Sequence, residues 1–208
     1  MSFGHLTVRF DERVLRPRPW TRSQSLWAAE FAADLPPGPC LELCAGVGHL
    51  GLLLASLVPR DLVLVDADRT ACRYARVNAA AAALTHRVEV RHGNIDAAIG
   101  SKERFALILA DPPWVPSADT WRFPADPAFA IDGGPDGLAG ARSCIEVIGR
   151  HLSPGGASIL LLRDDHQVAG IRTYLEARPS LGLSVLDVRA TPDDDGVLVK
   201  LASTRARG

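Results

Sequence analysis

The chain lacks an excess of positive charge. Its 208 residues carry 23 Lys+Arg against 24 Asp+Glu, for a formal net charge of -1. No broad electrostatic surface for gripping nucleic acid is therefore expected. One local exception is the run Arg9, Arg13, Arg16, Arg18 and Arg22. It reads either as a solvated leader segment or as a grip on an anionic or acidic partner. Cysteine is sparse: Cys40, Cys44, Cys72 and Cys144 form no CxxC pair and show no zinc-site spacing. They read as small buried hydrophobes, and reduced thiols fit a cytoplasmic protein. Long apolar runs are missing too. Leu50 to Val58 is too short to span a bilayer, so no membrane association is expected. The opening MSFGHLTVRFDERV has no apolar core, and no signal peptide is expected. His5, His49, His86, His92, His151 and His166 show no ligand spacing and read mostly as surface or loop residues. No metal is expected. The length suits one domain with a full core.

What is present is an alternation of apolar strands and helical segments. Strands are expected at 39–44, 62–66, 88–92, 105–110 and 157–162. Leu107-Ile108-Leu109 lies in a fully apolar run, typical of a sheet covered on both faces. Helices are expected from the Gly46–Gly51 turn to Val58, over 69–83, over 138–151 and over 167–177. Ser153-Pro154-Gly155-Gly156 reads as a turn. The last two strands, 183–189 and 196–202, are separated only by Ala190 to Asp195 and must form an antiparallel hairpin. The fold class is therefore α/β, doubly wound, with a mostly parallel sheet ending in an antiparallel hairpin. Residues 1–25 are expected to form an N-terminal arm, and 26–208 the domain proper.

The chemistry-bearing residues gather at the ends of these strands. Glu42-x-x-x-Gly46-x-Gly48-x-x-Gly51 joins a strand to a helix, and Asp66 follows twenty residues after Gly46. Such glycines permit a tight turn and close approach of a ligand, and Asp66 suits ribose hydroxyls. The same pattern fits the dinucleotide fingerprint, so an NAD-dependent oxidoreductase is one alternative. Glu42 points elsewhere: a pyrophosphate disfavours a nearby carboxylate, whereas a sulfonium and an amino group tolerate one. Asp111-Pro112-Pro113-Trp114 follows the fourth strand, where an open α/β sheet places its ligand chemistry. Asp111 offers acceptor oxygens to a nucleophilic N–H. The prolines fix the loop and leave carbonyls free to accept a second N–H. Trp114 offers an aromatic face to a planar group or a cation. The long stretch from Asp119 to Ala130 carries Trp121, Phe123 and Phe129, has no clear element of its own, and is expected to cover or shape the acceptor pocket.

Taken together, Glu42 to Gly51, Asp66, Asn78, Asp111-Pro112-Pro113-Trp114 and Asp132-Gly133-Gly134-Pro135-Asp136-Gly137-Leu138 resemble the HemK-type protein-glutamine N-methyltransferases. Leu15 to Thr21 resembles the segment preceding the cofactor domain there, and Gln167 falls where that family has a Gln. The resemblance implies a Rossmann-like class I methyltransferase with a seven-stranded sheet of order 3-2-1-4-5-7-6. It implies S-adenosyl-L-methionine as cofactor, bound by Glu42, Gly46, Gly48, Asp66 and Asn94, with their neighbours Cys44, Ala67 and Ile95. It implies catalysis by Asp111, Pro112 and Trp114, whose loop holds the acceptor nitrogen. The sequence departs from the family pattern at several points. Asp111 and Trp114 stand where Asn and Tyr are usual, Cys44 where the first glycine is, and Arg22 where an acid follows the Thr. The Asp form is more typical of enzymes acting on exocyclic base nitrogens. The resemblance is to a compact form, without the helical N-terminal domain of the release-factor enzymes; some compact members work with a small partner subunit.

The expected reaction is in-line displacement at a sulfonium methyl. The acceptor is a protein or peptide side-chain nitrogen such as glutamine, gripped by the Asp111 carboxylate and the Pro112 carbonyl. A nucleic-acid base nitrogen, a small metabolite and a non-catalytic binding role remain as alternatives.

Overall fold

The computed structural model describes residues 1–192 and 195–205. Asp193 and Asp194 of the expected final turn, and the last three residues of the expected 26–208 domain, lie outside the described residues.

The chain opens on a small antiparallel pair, β1 (Ser2–Phe3) and β2 (Leu6–Thr7). Helix α1 (Arg22–Phe31) follows, and then the main sheet begins. Its strands are β3 (Cys40–Leu43), β4 (Leu62–Asp66), β5 (Val88–His92), β6 (Phe105–Ala110), β7 (Leu152–Leu162), β8 (Leu183–Ala190) and β9 (Val197–Ser203). They lie in the order β5-β4-β3-β6-β7-β9-β8, which is 3-2-1-4-5-7-6 when the seven are counted along the chain. Pairing is parallel from β5 to β7. Strand β9 runs antiparallel to both β7 and β8.

Alternating side chains of the central strands feed two cores. Leu107 and Leu109 join Trp27, Leu50, Leu54, Ala71 and Ala75 under α1, α2 (His49–Leu57) and α3 (Arg69–Ala81). Ile108 and Ala110 join Ile145, Ile148 and Ile171 under α5 (Ala139–His151) and α6 (Asp165–Glu176). Helix starts follow from the sequence: the Asp68 carboxylate accepts from Thr70 N to cap α3, and Asp164 from Gln167 N to cap α6. No helix among the described residues is long and apolar enough to cross a membrane.

Besides β1, β2 and α1, for which no element was expected, several local features differ from the sequence reading. Ser153 to Gly156 does not break the chain before the fifth large strand. Register passes from Phe105↔Leu152 to Leu107↔Ala157, so these residues bulge within β7. Pro154 brings no N–H to a ladder, and Gly155 has a φ of 73°. The stretch after Trp114 carries a 3-10 turn, Ser117–Arg122, and a short helix α4 (Ala128–Ile131). Two histidines depart from a surface setting. His151 is buried, its Nδ1 3.0 Å from the Glu103 carbonyl. His49 packs edge-on against Phe3 with centroids 4.8 Å apart, and burial pulls its ring down to about 4.

The N-terminal segment is tied to the core. Phe3, Val8 and Val14 are buried. Asn78 brackets Arg9: Oδ1 accepts from Arg9 N at 2.8 Å, and Nδ2 donates to the Arg9 and Val47 carbonyls at 3.0 Å each. Helix α1 crosses the 25/26 division.

Candidate active site

The carboxyl ends of β3, β4, β5 and β6 converge on a cavity of about 650 Å³. After β3 the backbone turns through Cys44 and Gly46, at φ 56° and 53°. The first value is unusual for a residue with a Cβ, which explains the preference for glycine at that position. A Cβ built on Gly46 meets nothing within 4 Å, because it would project into the open cavity. Asp66 ends β4 and ties the two loops beside it. Its Oδ2 accepts from Gly46 N at 2.6 Å and its Oδ1 from Asp68 N at 2.7 Å. Burial raises its carboxyl, while the two N–H donors oppose that rise.

Six of the eight expected cofactor residues line this cavity: Cys44, Gly46, Asp66, Ala67, Asn94 and Ile95. Glu42 and Gly48 lie behind the lining. Glu42 is buried under the start of α2, where Oε2 accepts from Gly51 N at 2.8 Å; Oε1 has no partner among the described residues. Burial pushes its carboxyl well above the usual range. Gly48 opens α2 at φ 79°, and a Cβ there would sit 2.9 Å from Leu64. Its small size serves packing. The outer wall comes from residues that the cofactor motifs do not include: Leu15, Arg16, Pro17, Arg18 and Thr21, with Phe129 and Ala130 beside them.

A second cavity of about 370 Å³ lies beyond. Asp111, Pro112, Pro113 and Trp114 line it, with Trp20, Phe123, Asp126 and Asp195 opposite. The two cavities share Leu15, Arg18, Thr21, Asp111, Pro113 and Ala130. Asp111 thus stands at their junction. Burial pushes its carboxyl up to about 7, and among the described residues it has no ion-pair or hydrogen-bond partner. An ion pair between Arg18 and Asp126 joins the N-terminal segment to the 117–131 loop across this second cavity.

The Asp132–Leu138 run supports this loop from behind. Gly133 N donates to the Val115 carbonyl at 2.8 Å, and Asp132 Oδ1 accepts from Ser117 Oγ and Gly134 N. A Cβ on Gly137 would lie 2.5 Å from the Trp114 carbonyl oxygen. Two buried glutamines also reach the loop, Gln24 from α1 and Gln167 from α6. Gln24 carries no sequence signal: it lies where no helix was expected, and a lone Gln there carries no sign of a buried role. Among the described residues, no group of three or more His, Cys, Asp or Glu could hold a metal ion.

The seven-stranded sheet of order 3-2-1-4-5-7-6 with its antiparallel end, carrying both chambers at its carboxyl edge, has the class I methyltransferase architecture. The sheet is shared with a methyltransferase from Pyrococcus furiosus (TM-score 0.70, 19% identity, 97% of this chain and 90% of that one). It is shared also with the hMettl16 catalytic domain solved with an MAT2A 3'UTR hairpin (TM-score 0.73, 14% identity, 96% and 75%). The family described as "Methyltransferase small domain" matches residues 24–123. The release factor glutamine methyltransferase of Deinococcus radiodurans is 32% identical, over 87% of this chain and 68% of its own length. That of Mycolicibacterium smegmatis is 36% identical over 74% and 56%, and the ribosomal protein uL3 glutamine methyltransferase of Bradyrhizobium diazoefficiens 31% over 93% and 62%. The chain belongs to this HemK-type glutamine methyltransferase family. It spans a little over half the length of several of these relatives, such as 56% for the M. smegmatis protein.

Proposed function

We propose that the protein transfers a methyl group from S-adenosylmethionine to a side-chain nitrogen of a protein or peptide in the cytoplasm, with a glutamine amide as the first acceptor to test. The observation that carries this reading is the meeting of the two chambers at Asp111. The larger one fits the cofactor. Gly46 leaves its floor open, and the Asp66 oxygens, each occupied by one N–H, keep lone pairs for ribose hydroxyls. Cys44, Ala67, Asn94 and Ile95 complete the set that would hold it, and residues 1–25 act as an arm closing the outer wall through Leu15, Arg16 and Thr21. Bound there, S-adenosylmethionine supplies an electrophilic methyl group.

The chain's own residues then act on the acceptor. An amide nitrogen is a poor nucleophile because its lone pair is delocalised, so it needs orientation more than a strong base. The Asp111 carboxylate and the Pro112 carbonyl accept its two N–H hydrogens and aim the lone pair toward the larger chamber. Positioning of this kind is worth roughly 7 to 11 kcal/mol of a barrier. Trp114, Trp20 and Phe123 give the acceptor side chain an apolar, water-poor sleeve.

Incubation with tritiated S-adenosylmethionine and separate protein, RNA and metabolite fractions tests the reading. Label is expected in protein, retained as N-methylglutamine after enzymatic digestion. Label confined to RNA or metabolites would replace the acceptor. Tight NAD binding with no response to S-adenosylhomocysteine would overturn the cofactor as well.

A further inference from the structure

The Asp111–Trp114 loop cannot hold itself in place through its own N–H groups. Pro112 and Pro113 have none, and so the loop is short of donors where its geometry matters most. It is held by its carbonyls instead. Gln24 Nε2 donates to the Ala110 carbonyl at 3.0 Å and to the Ile159 carbonyl at 2.9 Å. At the far end, Gln167 Nε2 donates to the Trp114 carbonyl at 2.9 Å and to the Gly137 carbonyl at 3.2 Å. Both side chains are buried, at 0% and 3% exposure. They arrive from opposite sides of the sheet, on α1 and α6, and each uses both amide hydrogens. No hydrogen bond reaches the Pro112 carbonyl among the described residues.

We infer that Gln24 and Gln167 form a two-sided amide clamp that sets the position of the Asp111 carboxylate and the Pro112 carbonyl, and that both are positioning residues for methyl transfer. The inference rests on the proposed role of Asp111 and Pro112 in gripping the acceptor. Gln24 anchors the carbonyl directly before Asp111 and locks it to β7. Gln167 anchors the last carbonyl of the loop, and its Oε1 accepts from Arg163 N at 3.0 Å, which fixes the orientation of the amide group. The two clamped carbonyls flank the groups left free for substrate. Removing either clamp takes a donor from two carbonyls that hold the ends of the loop, which is then free to shift. Neither glutamine lines either chamber, so their loss should reach the acceptor only through the loop.

The test uses the full chain with Gln24→Met and Gln167→Met, which keep side-chain length and remove the donors. S-adenosylhomocysteine affinity by calorimetry reports folding and an intact larger chamber, and is expected to stay at the wild-type value. Single-turnover methyl transfer to the protein fraction that wild type labels is expected to slow by on the order of tenfold to a hundredfold, the scale of a loop misplaced by about an ångström. Repeating both substitutions on an Asp111→Ala background separates positioning from general destabilisation. A clamp acting through Asp111 loses most of its effect there, whereas an unrelated structural effect adds in full. Crystal structures of the variants with S-adenosylhomocysteine give a readout that needs no acceptor, and a displaced Pro112 carbonyl is expected. An unmoved loop, or full additivity with Asp111→Ala, overturns the inference. Failure of wild type to label any protein would sink the proposed function instead, with the crystallographic readout still deciding the clamp.

Discussion

Asp111 is the one carboxylate that lines both chambers among the described residues, and its burial has two consequences of opposite sign. Its folded value of about 7 lies above the ordinary 3.8, so the folded protein holds this proton more tightly than the unfolded chain does. The associated stability is complete below about 4 and is lost as pH rises through about 7. Asp111→Asn should therefore flatten the stability curve over that window and raise stability near pH 8, by roughly 1 to 4 kcal/mol. Chemical denaturation of both proteins at pH 5 and pH 8 measures this, and an equal difference at the two pH values would refute it. The proposed methyl transfer needs the opposite state, since a protonated carboxyl can turn a donor hydrogen toward the substrate N–H it is meant to accept. Asp111→Ala should keep cofactor affinity and lose a hundredfold or more in turnover, about 2.7 kcal/mol. Asp111→Asn should retain much activity on a neutral amide and fail on a cationic amine, where a base is required. Full turnover in both variants would remove Asp111 from the chemistry. The position of the Asp-Pro-Pro-Trp loop was legible because it directly follows an apolar strand. Glu42 and Gly48 were legible as members of a motif, but the motif does not say that one sits beneath a helix start and the other against Leu64. Gln24 was not legible at all, since its role depends on a carbonyl 86 positions away.

Elements are readable where burial on both faces makes a run uniformly apolar, as in β4 and β6, or where residues alternate, as in the edge strand β5. Strands β4, β5 and β6 lie where their residue patterns placed them, and β3 differs only at its ends. The bulge in β7 was hidden, because Ser-Pro-Gly-Gly carries the same local signal whether it ends a strand or swells one. Helix α4 was hidden by its length: four residues span about one turn and leave no periodicity. The loop containing it has a mechanical consequence. Trp121 and Phe129 are 72% and 64% exposed, while Asp126 is held by Arg18 across the smaller chamber. Exposed aromatics beside an open cavity lose water contact only when something covers them. Acceptor binding should therefore protect residues 117–131 from limited proteolysis in the presence of S-adenosylhomocysteine, and Arg18→Ala should accelerate cleavage in the same segment. Equal cleavage with and without the acceptor would show that the loop does not close on it. Arg18→Ala should cost little global stability, since the Arg18 side chain is 41% exposed.

At the scale of the molecule, β/α alternation and the closing hairpin dictated a mostly parallel sheet with an antiparallel end. Periodicity could not order the strands; that order came through the family resemblance. The packing of residues 1–14 was invisible for a related reason: Phe3, Val8 and Val14 are too far apart to form a pattern, yet all three reach the same core as α2 and α3. Through Phe3 on His49 and Asn78 on Arg9, this segment underlies the larger chamber. A ligand that binds only the folded state stabilises it by about 2.7 kcal/mol at a hundred times its dissociation constant. For a domain of this size that shift is worth roughly 5 to 10 °C in Tm. S-adenosylhomocysteine should raise the wild-type Tm by that amount, and NAD should not. Asp66→Ala removes the carboxylate that ties Gly46 N to Asp68 N and that is proposed to meet the ribose hydroxyls. It should weaken binding by roughly 1 to 3 kcal/mol and cut the shift accordingly at fixed ligand concentration. Gln24→Met and Asp111→Ala should show the full wild-type shift, because neither residue belongs to the set proposed to hold the cofactor. Differential scanning fluorimetry of the four proteins with both ligands decides the matter. An undiminished shift in Asp66→Ala would mean that the larger chamber is held by other groups, and that the acid ending β4 serves only to join its two loops.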